Sequence, residues 1–148
     1  MNELMVAIAL WLTANFGLPA IPTNPKVEFV TSAKIVALRH SGSDEHKTQS
    51  VALQPGQRET LSIYNNDTKT IYLRSDWTGR TPADLSILVH EMVHHIQNLA
   101  QLKYSCVEER EKMAYHAQKK WLELFGRDLE SEFEIDGFTL LVITNCPR

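Results

Sequence analysis

The chain has only two cysteines, Cys106 and Cys146, in 148 residues. That excludes a disulfide-dense scaffold, and their wide separation excludes a paired-cysteine zinc or redox motif. A disulfide between them is expected if the protein is exported; two free thiols are the alternative. Basic charge is equally short. Fifteen Lys and Arg against 18 Asp and Glu leave a formal charge of −3, which offers no electrostatic footprint for nucleic acid. Long apolar runs are missing too. Leu4–Leu12 is unbroken but falls well short of the roughly 20 residues a membrane-spanning helix needs, so stable membrane insertion is not expected. No repeat and no low-complexity segment occurs. What remains is an ordinary soluble composition, 43% apolar and 22% charged. A chain of this size folds as one domain, residues 1–148, that buries roughly 68–70% of its unfolded surface.

The N-terminal run could be the centre of a secretion signal, but no basic residue precedes Lys26. Met5, Ile8, Leu12 and Phe16 recur at helical spacing, and Gly17 and Pro19 supply a stop. The reading is therefore a packed first helix. The expected location is periplasmic or extracellular with the signal removed, a cytoplasmic location being the alternative.

Leu18 to Pro25 carries three prolines and reads as a connector. Val27–Val30 and Lys34–Leu38 are short β-rich runs, and His40 to Gln49 is a polar loop. Leu61–Tyr64 and Thr70–Leu73 flank Asn65-Asn66-Asp67 and form an antiparallel hairpin. Thr81, Pro82 and Asp84 start a helix that runs to about Leu102. Ser105 with Glu108 starts another, through Trp121 and Phe125 to Gly126. Asp128 opens a last helix toward Leu141. Helix, strands, then helices is an α+β order.

The chemistry lies in His90-Glu91-Met92-Val93-His94. Residues four apart on a helix lie about 40° apart, so both imidazoles reach one metal ion. Glu91 stands about 60° further round, able to address water on that metal without coordinating it. Zinc with three protein ligands keeps a fourth position for water, whose pKa drops to about 7, and a neighbouring carboxylate takes the proton. Chance produces the pattern roughly 0.02 times per chain of this make-up, and a strong helix start lies just upstream. Leu85, Leu88, Met92, Ile96 and Leu99 form an apolar stripe opposite the histidines, which leaves the histidine side facing a cleft. Two solvated surface histidines are the bland alternative.

A third ligand is needed. His95 points toward the stripe and reads as a packing or supporting residue; His116 reads as exposed. On the next helix Val107, Ala114, Trp121 and Phe125 mark the buried side. Relative to Ala114, Glu111 lies about 60° away, Glu108 about 120° and Glu109 about 140° the other way. Only Glu111 is carried inward, where a carboxylate needs a cation. Glu108 caps and Glu109 points outward.

His90-Glu91-Met92-Val93-His94, followed by Glu111-Lys112-Met113-Ala114, resembles the gluzincin branch of zinc metallopeptidases. It also resembles small bacterial proteins of unknown function with a compact version of that core. The resemblance covers about Leu61 to Phe125. It implies a zincin-like α+β fold in which a sheet edge strand lines the substrate groove, a role Thr70–Leu73 is placed to fill. It implies Glu91 as general base. Larger gluzincins often carry an aspartate four residues after the ligand glutamate; here the position is Tyr115. Whether Tyr115, Gln118 or Asp136 supports the first histidine is open, and Tyr115 is also a candidate for the oxyanion. The metzincin branch is excluded, because Ala100 and Gln97 stand where its histidine and glycine fall.

The expectation is thus an enzyme, a zinc metallopeptidase with one zinc on His90, His94 and Glu111 and with peptide or protein as substrate. The alternative is a metal-binding or interaction protein that retains the core without turnover. Oligomeric state is not legible.

Overall fold

A computed structural model describes residues 1–41, 48–49 and 62–147. Helix α1 (Asn2–Phe16) buries Met5, Ile8 and Leu12 and ends where Gly17 turns left-handed, φ 66°, and donates its N–H to the Thr13 carbonyl. Strand β1 (Lys26–Val30) follows the proline-rich connector. Next comes helix α2 (Ser32–Ser41), not the strand expected over Lys34–Leu38. The missed signal is Thr31, whose Oγ1 accepts from the Lys34 N–H at 3.1 Å and caps the helix. Most of the polar segment 40–49 lies outside the described residues, apart from the end of α2 and strand β2 (Thr48–Gln49).

Strands β3 (Ser62–Asn65) and β4 (Thr70–Arg74) form the expected hairpin. Asn65 Oδ1 accepts from the Asp67 and Thr68 N–H groups and shapes its turn. The sheet order is β1-β4-β3-β2, with β1 and β4 parallel and the other pairs antiparallel. Here the structure corrects the sequence reading. Strand β4 is paired on both sides, so Thr70–Leu73 has no free edge to offer a substrate. Parallel pairing of β1, distant in sequence, takes that edge.

Helix α3 (Pro82–Leu99) starts as the sequence implies: Thr81 Oγ1 accepts from the Asp84 N–H, with proline in the first turn. The Asp84 carboxylate in turn accepts from the Thr78 N–H, the Thr78 hydroxyl and the Gly79 N–H, tying down the preceding loop. Gly79, at φ +70°, lies under the Trp77 ring, 2.7 Å from where a Cβ would sit. That position admits only glycine.

Every residue of α3 from Ser86 to Gln97 is buried. The helix therefore does not leave a polar face to a wide cleft. It lies between α1, the sheet and helix α4 (Val107–Glu123). Leu88, Val89, Met92, Val93 and Ile96 are fully buried, each worth roughly 1.5–3 kcal/mol in transfer free energy. Ser62 and Tyr64 of β3 face α3. The intervening Ile63 turns to the other face, where α2 packs on β3 and β4 and Ile35 is fully buried.

Cys106 rather than Ser105 caps α4, its sulfur accepting from the Glu109 N–H, while Glu109 Oε2 accepts from the Ser105 N–H. The capping pair is therefore one residue further on than Ser105 and Glu108. The buried face of α4 is Glu111, Ala114, Tyr115, Ala117, Gln118 and Leu122. Phe125, expected inside, is exposed. The last expected helix is two short ones, α5 (Leu129–Phe133) and α6 (Gly137–Ile143), broken where Glu134 turns left-handed. Cys106 and Cys146 form a disulfide that ties the start of α4 to the segment after α6. Among the described residues, no helix is long and apolar enough to cross a membrane.

Candidate metal centre

One turn of α3 separates His90 from His94, and their ring centroids lie 5.0 Å apart. The α3–α4 contact carries Glu111 between them. Glu111 Oε2 lies 3.0 Å from His90 Nε2 and 3.2 Å from His94 Nε2. The other oxygen, Oε1, is 3.1 Å from His94 Nε2 but off the direction of a hydrogen bond. All three residues are buried, and one ligand atom from each falls within 4.8 Å of the others.

The hydrogen bonds behind the histidines decide what this arrangement can hold. His94 Nδ1 lies 2.8 Å from Gln97 Oε1. The Gln97 amide has one orientation, because its Nε2 donates to the carbonyl of Arg110 at 3.0 Å, a group that only accepts. His90 Nδ1 lies 2.9 Å from Gln118 Oε1. Gln118 is oriented too. Ser86 donates its single hydroxyl proton to the Ala83 carbonyl, so Ser86 can only accept from Gln118 Nε2. Both Nδ1 atoms must therefore carry protons, and in neutral imidazoles both Nε2 atoms present lone pairs. Two lone pairs and a carboxylate converging on one point repel each other unless a cation lies among them. The donor set of two imidazoles and one carboxylate suits zinc. A proton competes for the same place: burial alone would lower the His90 pKa, but Glu111 and Glu91 raise it. Burial likewise opposes ionisation of Glu111, yet the histidines hold it well below the usual carboxylate range.

Glu91 lies alongside, buried. Its Oε1 accepts from the Ser62 hydroxyl at 2.7 Å, and its Oε2 is buried with no hydrogen-bond partner. Burial, first, and Glu111 raise its pKa against the pull of the two histidines and Ser62. Tyr115 sets its ring edge-on to His90, with centroids 4.6 Å apart. Burial, with Glu111 and Glu91 nearby, holds its phenol far above its ordinary pKa, so it can act only as a neutral donor or acceptor.

Of the three candidates to support His90, Gln118 makes the bond; Tyr115 packs on the ring, and Asp136 caps α6 by accepting from the Thr139 N–H. His95 is a structural link. It receives a bond from the Tyr64 hydroxyl at Nδ1 and donates from Nε2 to the Thr23 carbonyl. His116 is exposed, beside Phe16. Sequence reasoning missed Ser62, Gln97 and Arg110. Gln97 had a signal, three residues after His94 on the same helix. Arg110 reaches Gln97 Oε1, the His94 carbonyl and Asn66 Oδ1. Replacing Gln97 by Leu removes the acceptor that fixes the His94 tautomer. Zinc affinity, read by competition with a chelating dye, should fall roughly 10–100-fold; an unchanged affinity would show that His94 needs no such support.

The chain belongs to the family described as Domain of unknown function (DUF6647), which matches residues 1–148. No curated protein and no solved structure matches it.

Proposed function

We propose that this protein is a zinc-dependent hydrolase of zincin-like architecture, a metallopeptidase that uses His90, His94 and Glu111 as ligands and Glu91 as general base. The observation that carries the reading is the state of Glu91. One oxygen is clamped by Ser62, and the other is buried and unpartnered, on the residue that follows the ligand His90 along α3. A purely structural metal site has no use for such a carboxylate, and it is normally closed by a fourth protein ligand. Among the described residues the group has three.

Zinc held there supplies Lewis acidity toward a carbonyl oxygen and acidifies water. The chain's own residues do the rest. Glu91 Oε2 takes the proton from the attacking water and delivers it to the leaving amine. Ser62 keeps Glu91 from rotating away, and Gln97 and Gln118 hold the imidazoles in one tautomer. The Tyr115 phenol donates to the oxygen on which charge develops. The disulfide supports an exported protein, since such bonds persist in oxidising compartments.

The test is the metal content of the purified protein, measured by plasma mass spectrometry beside His94→Ala and Glu111→Ala. About one zinc per chain, lost in both variants, is the expected result. A native protein that cannot be loaded with zinc would overturn the reading. So would zinc that remains in either variant.

A further inference from the structure

A cavity of about 310 Å³ opens where the end of β4, the loop after it, the first turns of α3 and helix α5 meet. That volume is at the small end of the range for ligand pockets. Trp77, Ala83, Ile87 and Phe133 supply apolar walls. The Trp77 indole is fixed in place. Its N–H donates to the Asp84 carbonyl at 2.7 Å, and its ring lies against Gly79 and beside Phe29.

The cavity shares a face of α3 with the metal ligands. Ala83, Ile87, His90 and His94 all belong to that helix, and helical rotation places the four within an arc of about 60°. By helical rise, Ile87 stands about 4.5 Å and Ala83 about 10.5 Å along the axis from His90. Those lengths match roughly one to three residues of an extended peptide. A peptide whose reacting carbonyl sat at the ligand group would therefore bring a nearby side chain to the cavity.

Charge decides which side chain. Arg74, Asp76, Asp84 and Glu132 complete the lining, three carboxylates against one guanidinium. Arg74 is already engaged by Asp76 at 2.8 Å. The Asp84 carboxylate accepts from the Thr78 N–H and hydroxyl and from the Gly79 N–H, neutral donors that leave its charge intact. Glu132 pairs with Arg127 at 3.4 Å, but the Arg127 side chain is more than half exposed and water screens the pair. The lining thus keeps a negative balance around a partly aromatic hollow. Lysine and arginine match it, each an apolar stem ending in a cation that suits both carboxylates and aromatic faces. An acidic side chain is repelled, and an uncharged one leaves the carboxylates without a partner.

We propose that this cavity is a specificity pocket and that the substrate is a peptide with a lysine or arginine within three residues of the cleaved bond. The preference for a cation rests on the lining of the pocket; its place in a substrate site rests on the hydrolase reading above.

The probes are N-acetylated, C-terminally amidated Ala-Ala-X-Ala-Ala peptides with lysine, arginine, norleucine or glutamate at X. Norleucine keeps the lysine stem and removes the charge. Binding is measured on the zinc-loaded chain carrying Glu91→Gln to block turnover, by NMR titration of the Trp77 indole N–H in the pocket wall. The lysine or the arginine peptide should bind about fivefold or more tighter than the norleucine peptide, the size of a few screened ion pairs. Glutamate should bind weakest. Glu132→Gln should weaken the preference and Glu132→Lys should abolish it. Equal binding of the basic and norleucine peptides overturns the proposal on the parent alone, whatever the variants do. So does a preference that survives Glu132→Lys, or one that leaves the Trp77 signal unmoved.

The two readings fail separately. A cation preference in a chain that, with Glu91 restored, cleaves none of the four peptides would leave the pocket and remove the hydrolase. Cleavage of the norleucine peptide as fast as the basic ones would leave the hydrolase and remove the pocket.

Discussion

Glu91→Gln should keep one zinc per chain and lose hydrolysis by about 10²–10⁴-fold, the usual contribution of a positioned general base. The substitution is close to isosteric. Ser62 can still donate to Oε1 of the glutamine, while the amide nitrogen takes the place of Oε2 and has no lone pair with which to accept a proton. Folding should not suffer, because a buried carboxylate is being replaced by a neutral group. The measurement is turnover of a peptide library by mass spectrometry, beside metal content. Undiminished turnover with zinc in place would remove Glu91 from the chemistry; loss of zinc together with turnover would make Glu91 a ligand instead. Ser62→Ala adds a pH signature. The Ser62 hydrogen bond lowers the Glu91 pKa, and in the proposed mechanism the ionised form is the active one. Activity that rises with pH through that pKa should therefore rise at higher pH in Ser62→Ala.

Cutting the disulfide should be the largest single loss of stability. Cys106 and Cys146 are 40 residues apart, and closing a loop of that size restricts the unfolded chain by about 4 kcal/mol at 25 °C in the chain-entropy account. For a chain near this length that is a drop in Tm of roughly 8–16 °C. The native side of the balance suffers as well. Cys106 is the N-cap of α4, and Glu111 lies on the second turn of that helix. Cys146→Ser should therefore melt lower and bind zinc more weakly, and reducing agent should bring the parent to the same Tm. A parent whose melting is indifferent to reductant would show that the bond does not hold the fold together.

The motif helix was legible because everything that defines it is local: the Thr81 cap, the proline, and two histidines one turn apart. Glu111 was legible because the same helical geometry ranks three neighbouring glutamates by angle, even though the buried stripe used to rank them included Phe125, which is exposed. Helix α2 was missed although Thr31 marks its start. Lys34–Leu38 has a β-rich apolar run, and packing against β3 and β4 overrides its local preference. The free-edge role given to Thr70–Leu73 failed for a related reason: the partner on its far side, β1, is more than forty positions upstream by register. Ser62 was invisible to any local rule. It meets the site through a contact between β3 and α3, elements distant in sequence, and a lone serine carries no spacing signal.

The two side chains behind the histidines, Gln97 and Gln118, are amides, where a carboxylate often stands in such centres. Amides neither gain nor lose protons in water, so this layer is silent in an acid titration. Stepwise acidification of the loaded protein should release metal along a curve to which these two amides add nothing. The centre is thus its own pH meter, with its outer wiring insulated from the reading.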